Sequence, residues 1–341
     1  MNFDTTEHVL RGLPTDGGLS LPFVRAVPRQ TRTPEGEETG SRRRRTVSLV
    51  LLHGAASHKE VWFPTLEHLF ELQKEDSDRA LTIVEAWATD MPSNGRAAML
   101  NEHLLGQFPD GISGQQAARA LQVLLKSDML KGDDVIGIGY SAGACVMIQS
   151  TAGYYVDKLP YSSLILVEPV VLDPEVLEQI SQADSPLTKI IEFARTRRDI
   201  WPSRAAAREW FAGRLPWSQW DARVLDLYVE HALRELPTAV YPDEHEGVTP
   251  ATTRAAEIAA YSHWDDALEA HQILQGLCAA IPVHSVVGSV RDRIPGEVHE
   301  LTGPKVKSVR QVEGVGHHVV QQDPRGAAEA IWTILQEEYS P

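Results

Sequence analysis

Cysteine is almost missing from this chain: 341 residues hold two, Cys145 and Cys278, far apart in sequence. That excludes a disulfide framework and a cysteine-based zinc site, and a reducing compartment becomes the simpler expectation. Positive charge is scarce as well. Against 47 Asp and Glu stand 32 Lys and Arg, a net charge of −15, which argues against nucleic acid and anionic membrane surfaces as partners and makes a strongly anionic substrate less natural. No apolar run approaches the ~20 residues of a membrane-spanning helix. Met1-Asn2-Phe3-Asp4-Thr5 lacks the basic and apolar regions of a secretion signal, and Tyr339-Ser340-Pro341 does not match a Ser-Lys-Leu-type address. The expectation is an intracellular, cytoplasmic protein without nucleic-acid or membrane partners, a homodimer being left open.

What is present is ordinary for a globular chain, 43% hydrophobic and 23% charged residues. The length suits two average domains or one α/β domain with an insertion. Val9-Leu10 and Leu19 to Val24, split by Asp16-Gly17-Gly18, read as an antiparallel hairpin at a sheet edge. The polar stretch from Gln30 to Arg45, with Arg42-Arg43-Arg44-Arg45 following a run of acids, reads as a solvated loop more readily than as a nuclear signal or anion patch. Continuous apolar runs of the kind buried in parallel sheets then recur at Thr46 to Leu52, Leu81 to Trp87, Ser163 to Pro169, Ile281 to Gly288 and Val306 to Val312. Helical spacing lies between them at Val61 to Leu72 and Gly114 to Leu125, and ends the chain through Ala327, Ile331 and Leu335. Alternating strands and helices imply a mostly parallel sheet with right-handed crossovers.

From Leu172 to about Gln275 the strand signals stop. Helical stretches are expected at Glu175 to Ile180, Leu187 to Ala194 and Ala222 to Leu236, in a region that holds Trp201, Trp210, Trp217, Trp220 and Trp264. This is the profile of a helical cap over a sheet. Residues 172–276 are expected to be that cap, between core segments 1–171 and 277–341, with Trp201, Trp210, Trp217 and Trp220 as candidate walls of an apolar pocket.

The chemistry centres on Gly139-x-Ser141-x-Gly143, set where an apolar strand passes through a sharp turn into a helix. Such a nucleophile elbow holds the serine in a strained backbone conformation, and the flanking glycines are needed because a Cβ would strike the neighbouring strand or helix. The turn ends at a helix N-terminus, so the Ala142 amide faces charge developing beside Ser141. After the first parallel strand, His53-Gly54 turns the backbone so that the Ala55 amide can join Ala142 in an oxyanion hole. His53 itself is read as structural. Glu168, at the end of a parallel strand, points into the crevice where such sheets place their sites, or simply caps a loop. Gly314-Val315-Gly316-His317-His318 follows the last strand. Adjacent histidines rarely reach one ion together, and no carboxylate spacing supports a metal there.

Together His53-Gly54, Gly139-x-Ser141-x-Gly143 and Gly316-His317 resemble the α/β-hydrolase superfamily over nearly the whole chain. More narrowly, His58-Lys59-Glu60-x-Trp62, Asp90-x-Pro92-x-Asn94-Gly95, Leu100-Asn101-Glu102 and Val167-Glu168-Pro169 resemble fungal hydrolases of toxin and polyketide pathways and their peroxisomal relatives. The elbow departs from that pattern in Tyr140, where His is common, and Ala144, where Gly is frequent. The resemblance implies an α/β-hydrolase fold, its mostly parallel central sheet flanked by helices and its helical cap inserted after strand 6. It implies a triad of Ser141, His317 and an acid. Many members carry the acid in the loop that holds Asp292, whereas some place it after the sixth strand, which favours Glu168 and leaves Asp292 as the alternative. The implied reaction is hydrolysis of an ester, lactone or thioester of a bulky apolar, polyketide-like substrate through an acyl-enzyme, with no cofactor and no metal. A carbon–carbon bond hydrolase acting on a β-diketone with the same triad, and a non-catalytic hydrolase-fold binding protein, remain as alternatives.

Overall fold

Period-two alternation along the apolar runs buries both faces of one sheet. In β3 (Arg45–Leu52), Val47, Leu49 and Leu51 pack to one side while Val50 and Leu52 pack to the other; in β6 (Ser163–Val167), Ile165 and Val167 oppose Leu164 and Leu166. The computed structural model describes residues 1–14, 17–29, 44–77, 79–181 and 185–340, so the loop expected after Gln30 lies outside the described residues up to Arg43. The other strands of this eight-stranded sheet are β1 (Phe3–Arg11), β2 (Ser20–Pro28), β4 (Leu81–Thr89), β5 (Asp134–Tyr140), β9 (Val283–Gly288) and β10 (Ser308–Val312). Their order is β1-β2-β4-β3-β5-β6-β9-β10, antiparallel over the β1–β2–β4 edge and parallel from β4 to β10. The expected hairpin is therefore the sheet's antiparallel edge.

Register decides where chemistry can gather. Leu52 pairs with Gly139, Tyr140 with Val167, Val167 with Val286, and Gly288 with Val312. The C-terminal ends of β3, β5, β6, β9 and β10 are thus level, and the loops that leave them share one rim.

Helices α1 (Phe63–Glu75), α2 (Gly95–Leu105), α3 (Gly114–Leu125) and α4 (Ala142–Gln149) alternate with the first strands. Between β6 and β9 lie α5 (Pro174–Ile180), α6 (Pro186–Thr196), α7 (Arg204–Ala212), α8 (Ala222–His231), α9 (Arg254–Ser262) and α10 (Trp264–Ala280). Asp173, Ser185, Ser203, Asp221 and Thr253 each accept a bond from the first turn of the helix they precede, which fixes where α5 to α9 begin. Then follow α11 (Gly296–Thr302), α12 (Val319–Gln322) and α13 (Pro324–Tyr339). One face of the sheet is covered by α1 and α13, the other by α3, α4 and α10. Among the described residues no helix is long and apolar enough to cross a membrane.

One expectation for the insertion is corrected. The helix expected to reach Leu236 stops at His231, and Leu233–Glu235 (β7) pairs antiparallel with Val248–Pro250 (β8), extended by a bridge between Trp201 and Val248. Pro237 and Gly247 flank strands only three residues long, too short for a period to register. The boundary expected at 276 falls inside α10, whose Ala267, Ala270, Leu274 and Leu277 belong to the packing around the sheet.

Candidate active site

Ser141 links β5 to α4 with φ 54° and ψ −122°, a conformation a side chain adopts at a cost of about 1 to 3 kcal/mol. The surrounding backbone enforces it. Ser141 N donates to the Val167 carbonyl at 2.9 Å. A Cβ on Gly139 would lie 2.5 Å from the Gly143 carbonyl oxygen, and one on Gly143 would lie 2.4 Å from that of His53. Only glycine lets strand, turn and helix approach so closely.

Glu168, next to the end of β6, is also held at positive φ, 49°. Its Oε1 accepts the Gly288 amide at 2.6 Å and its Oε2 accepts His317 Nδ1–H at 2.9 Å. The other imidazole nitrogen, His317 Nε2, lies 3.0 Å from Ser141 Oγ and is placed to accept its proton. Burial alone would raise the Glu168 pKa. The hydrogen bond and charge of His317, with smaller help from His299 and the Gly288 amide, outweigh burial and hold the carboxyl below its ordinary range. His299 Nε2 approaches the same Oε2 at 3.4 Å.

Asp292, the alternative acid, faces a different group. Its Oδ1 accepts the backbone amide of His317 at 2.9 Å, and its carboxylate fills the space over Gly316, where a Cβ would lie 2.3 Å from Oδ1. It thereby shapes the loop that carries His317 without touching the imidazole.

The Ala55 and Ala142 amides belong to residues that border the same space as Ser141, and among the described residues neither donates to an acceptor. His53 is fully buried: Nδ1–H donates to the Gly54 carbonyl at 2.6 Å and Nε2 accepts the Met91 amide at 3.0 Å. Desolvation pushes its pKa down to about 3, so it is a neutral brace between two rim loops. Asp90 braces the second of these loops. It accepts the amides of Lys59 at 2.7 Å and Arg96 at 3.0 Å and meets the buried Lys59 Nζ at 3.1 Å, while Gly95, at φ 49°, leaves room for its carboxylate.

Over Ser141 opens a cavity walled by apolar side chains such as Met91, Ile112, Val146, Trp220, Trp264 and Ile294. A second space lies beside it beneath the inserted helices and shares Ile190, Trp220, Tyr261, Arg293 and His318 with it. Of the tryptophans nominated for the pocket, only Trp220 borders the cavity with Ser141. Trp217 borders the outer space, and Trp201 and Trp210 border neither. Trp201, Phe211, Trp217 and Tyr228 instead form an apolar cluster of their own, with ring centroids 4.9 Å apart for Trp201 and Phe211 and 4.7 Å for Phe211 and Trp217. Burying those rings holds α7 and α8 together, and Trp217 and Tyr228 keep in addition an edge on the outer space.

Several cavity residues escaped sequence reasoning. Trp264 opens α10, which packs on α4 and so brings the indole beside the serine's helix; the sequence signals that helix but not its neighbour. Tyr140 reaches His318 Nδ1 at 3.3 Å, and burial lowers the His318 pKa well below its ordinary value. The rings of His317 and His318 stand edge to face, one turned to Ser141 and Glu168 and the other to Tyr140. Arg293 and Tyr261, also in the wall, carried no sequence signal beyond their loop or helix.

The model of the alpha/beta hydrolase family matches residues 49–330. The chain is 28% identical over 200 residues to the type I acyl-CoA thioesterase mpaH' of Penicillium brevicompactum, a match covering 58% of this chain and 42% of that protein. It is 24% identical over 256 residues to the type I acyl-CoA thioesterase mpaH of Penicillium roqueforti (strain FM164), covering 71% of this chain and 53% of the other. The chain thus spans about half the length of these relatives. Among solved structures, the peroxisomal alpha-beta-hydrolase Lpx1 of Saccharomyces cerevisiae superimposes with a TM-score of 0.77 at 18% identity, over 100% of this chain and 91% of the other, a likeness of fold.

Proposed function

The chain belongs to the alpha/beta hydrolase family, and from that premise we propose that it is a serine hydrolase of carboxylic esters or thioesters, lactones included, acting through Ser141, His317 and Glu168. One observation carries the reading: a continuous relay from Ser141 Oγ to His317 Nε2 at 3.0 Å and from His317 Nδ1 to Glu168 Oε2 at 2.9 Å, with the serine on a strained turn. His317 takes the Ser141 proton as Oγ attacks the acyl carbonyl, and Glu168 holds the imidazole in the tautomer that can accept. The Ala55 and Ala142 amides stabilise the tetrahedral oxyanion. His317 then protonates the departing thiolate or alkoxide, and water attacks the acyl-enzyme by the same route in reverse.

Two things support the substrate class. The relatives at 28% and 24% identity are named acyl-CoA thioesterases, and the apolar wall of the cavity suits a bulky acyl group. The inserted helices act in this reading as a cap that shields the acyl-enzyme. Intact-mass labelling with a fluorophosphonate tests the proposal. One adduct on the native protein that disappears in Ser141→Ala is expected; a folded native protein that takes up none removes the activated serine.

A further inference from the structure

Arg293 borders both the cavity with Ser141 and the outer space beneath the inserted helices. Its Nε is buried without an acceptor, and among the described residues the guanidinium has no ion pair and no hydrogen bond. Its charged neighbours are already engaged. In the cavity, Asp266 accepts the Gly114 amide at 2.6 Å and Gln149 Nε2 at 3.3 Å. In the outer space Arg197 pairs with Glu257, and Asp292 accepts the His317 amide. Tyr140 and His318, which feel the Arg293 charge, stay neutral, since burial raises the Tyr140 pKa and lowers that of His318. Lys189, exposed at the edge of the outer space, likewise has no ion pair among the described residues. Among the described residues, a chain of net charge −15 therefore presents cations without ion pairs along the way to its serine.

Leaving a guanidinium partly buried without a counter-ion is costly. Its planar fork fits a carboxylate or phosphate through two parallel bonds. We propose that Arg293 anchors an oxyanion carried by the substrate, so that the enzyme acts on anionic acyl compounds rather than on neutral esters. This reverses the expectation drawn from overall charge, and it rests on Ser141 being the nucleophile. The oxyanion has two sources: a carboxylate on the acyl chain, or a phosphate on a coenzyme A-type leaving group.

Two matched pairs separate them: mono-p-nitrophenyl glutarate against p-nitrophenyl valerate, and butyryl-coenzyme A against S-butyryl-N-acetylcysteamine. Arg293→Met should lower kcat/KM for the anionic member of one pair at least tenfold more than for its neutral partner, chiefly through KM, and Arg293→Lys should recover part of the loss. A response in the first pair assigns the anion to the acyl chain, and a response in the second to the leaving group. Equal losses within both pairs, or none, overturn the proposal.

Should no substrate turn over and no fluorophosphonate adduct form, the serine-hydrolase reading fails on its own. Arg293 is then judged by calorimetric titration of Ser141→Ala protein with glutarate and with coenzyme A. Binding weakened at least tenfold by Arg293→Met upholds the anchor, and binding that is absent or insensitive to the substitution removes it.

Discussion

Glu168 gives one oxygen to the end of β9 and the other to the imidazole of His317, so a single side chain ties a strand terminus to the proposed catalytic pair. Removing its charge while keeping its shape should be severe: Glu168→Gln is expected to lower kcat by roughly 10² to 10⁴, as a wrong imidazole tautomer does in Ser-His-Asp triads. Asp292→Asn should cost far less in kcat and act mainly on thermal stability, because Asp292 holds only backbone. Comparable kcat losses in the two variants would sink the choice of acid. The linkage at Glu168 has a definite sign. Its folded pKa lies below the ordinary 4.5, so its stabilisation is complete above that pH and is lost as the pH falls through the lower folded value. Thermal midpoints of native and Glu168→Gln protein should therefore converge in acid below about pH 4.5. His53 gives a different window. Held neutral down to about 3, it favours the fold above its ordinary 6.5 and loses that contribution as pH falls from 6.5 towards 3. His53→Gln should be less stable at pH 7 and flatter across that range, as followed by circular dichroism.

At the scale of elements, the site is a consequence of level strand ends and of glycines that let backbones touch. Gly143→Ala puts a methyl 2.4 Å from the His53 carbonyl oxygen, in a place where backbone must move. The expected outcome in differential scanning calorimetry is a midpoint lowered by at least several degrees, or no folded protein at all. A midpoint equal to the native one would mean that the turn is looser than these contacts imply. The elbow, the parallel strands and the edge hairpin were legible because their causes are local: glycine spacing, apolar runs and turn residues. The strand pair β7–β8 was not, since three-residue strands carry no period. Between Glu168 and Asp292 the residues themselves did not decide, and only the resemblance leaned to Glu168. Both leave strands that end at the same rim, and what favours Glu168 is a contact of 2.9 Å with the imidazole, against one of 2.9 Å with the backbone.

At the scale of the whole molecule, the inserted helices divide their aromatic rings between two tasks, and that division lay beyond sequence because composition does not say which side of a helix meets another. Trp217, 4% exposed, sits in the ring cluster, so Trp217→Ala should cost about 3 to 5 kcal/mol in chemical denaturation. Trp220 borders the cavity and stacks toward His318 with ring centroids 5.6 Å apart. Trp220→Ala should act chiefly on KM for long acyl chains; the opposite division, with Trp220 governing stability and Trp217 governing KM, would contradict these positions.

The relay joins positions 176 and 149 residues apart, and the inserted helices intervene between Glu168 and His317. No early, local folding event can bring these groups together. The chain must close long loops and seat β9 beside β6 and β10 beside β9 before His317 meets either partner, and such distant pairings form slowly. Recovery of helix signal during refolding should run ahead of the return of serine reactivity, which makes fluorophosphonate uptake a clock for the last step of assembly.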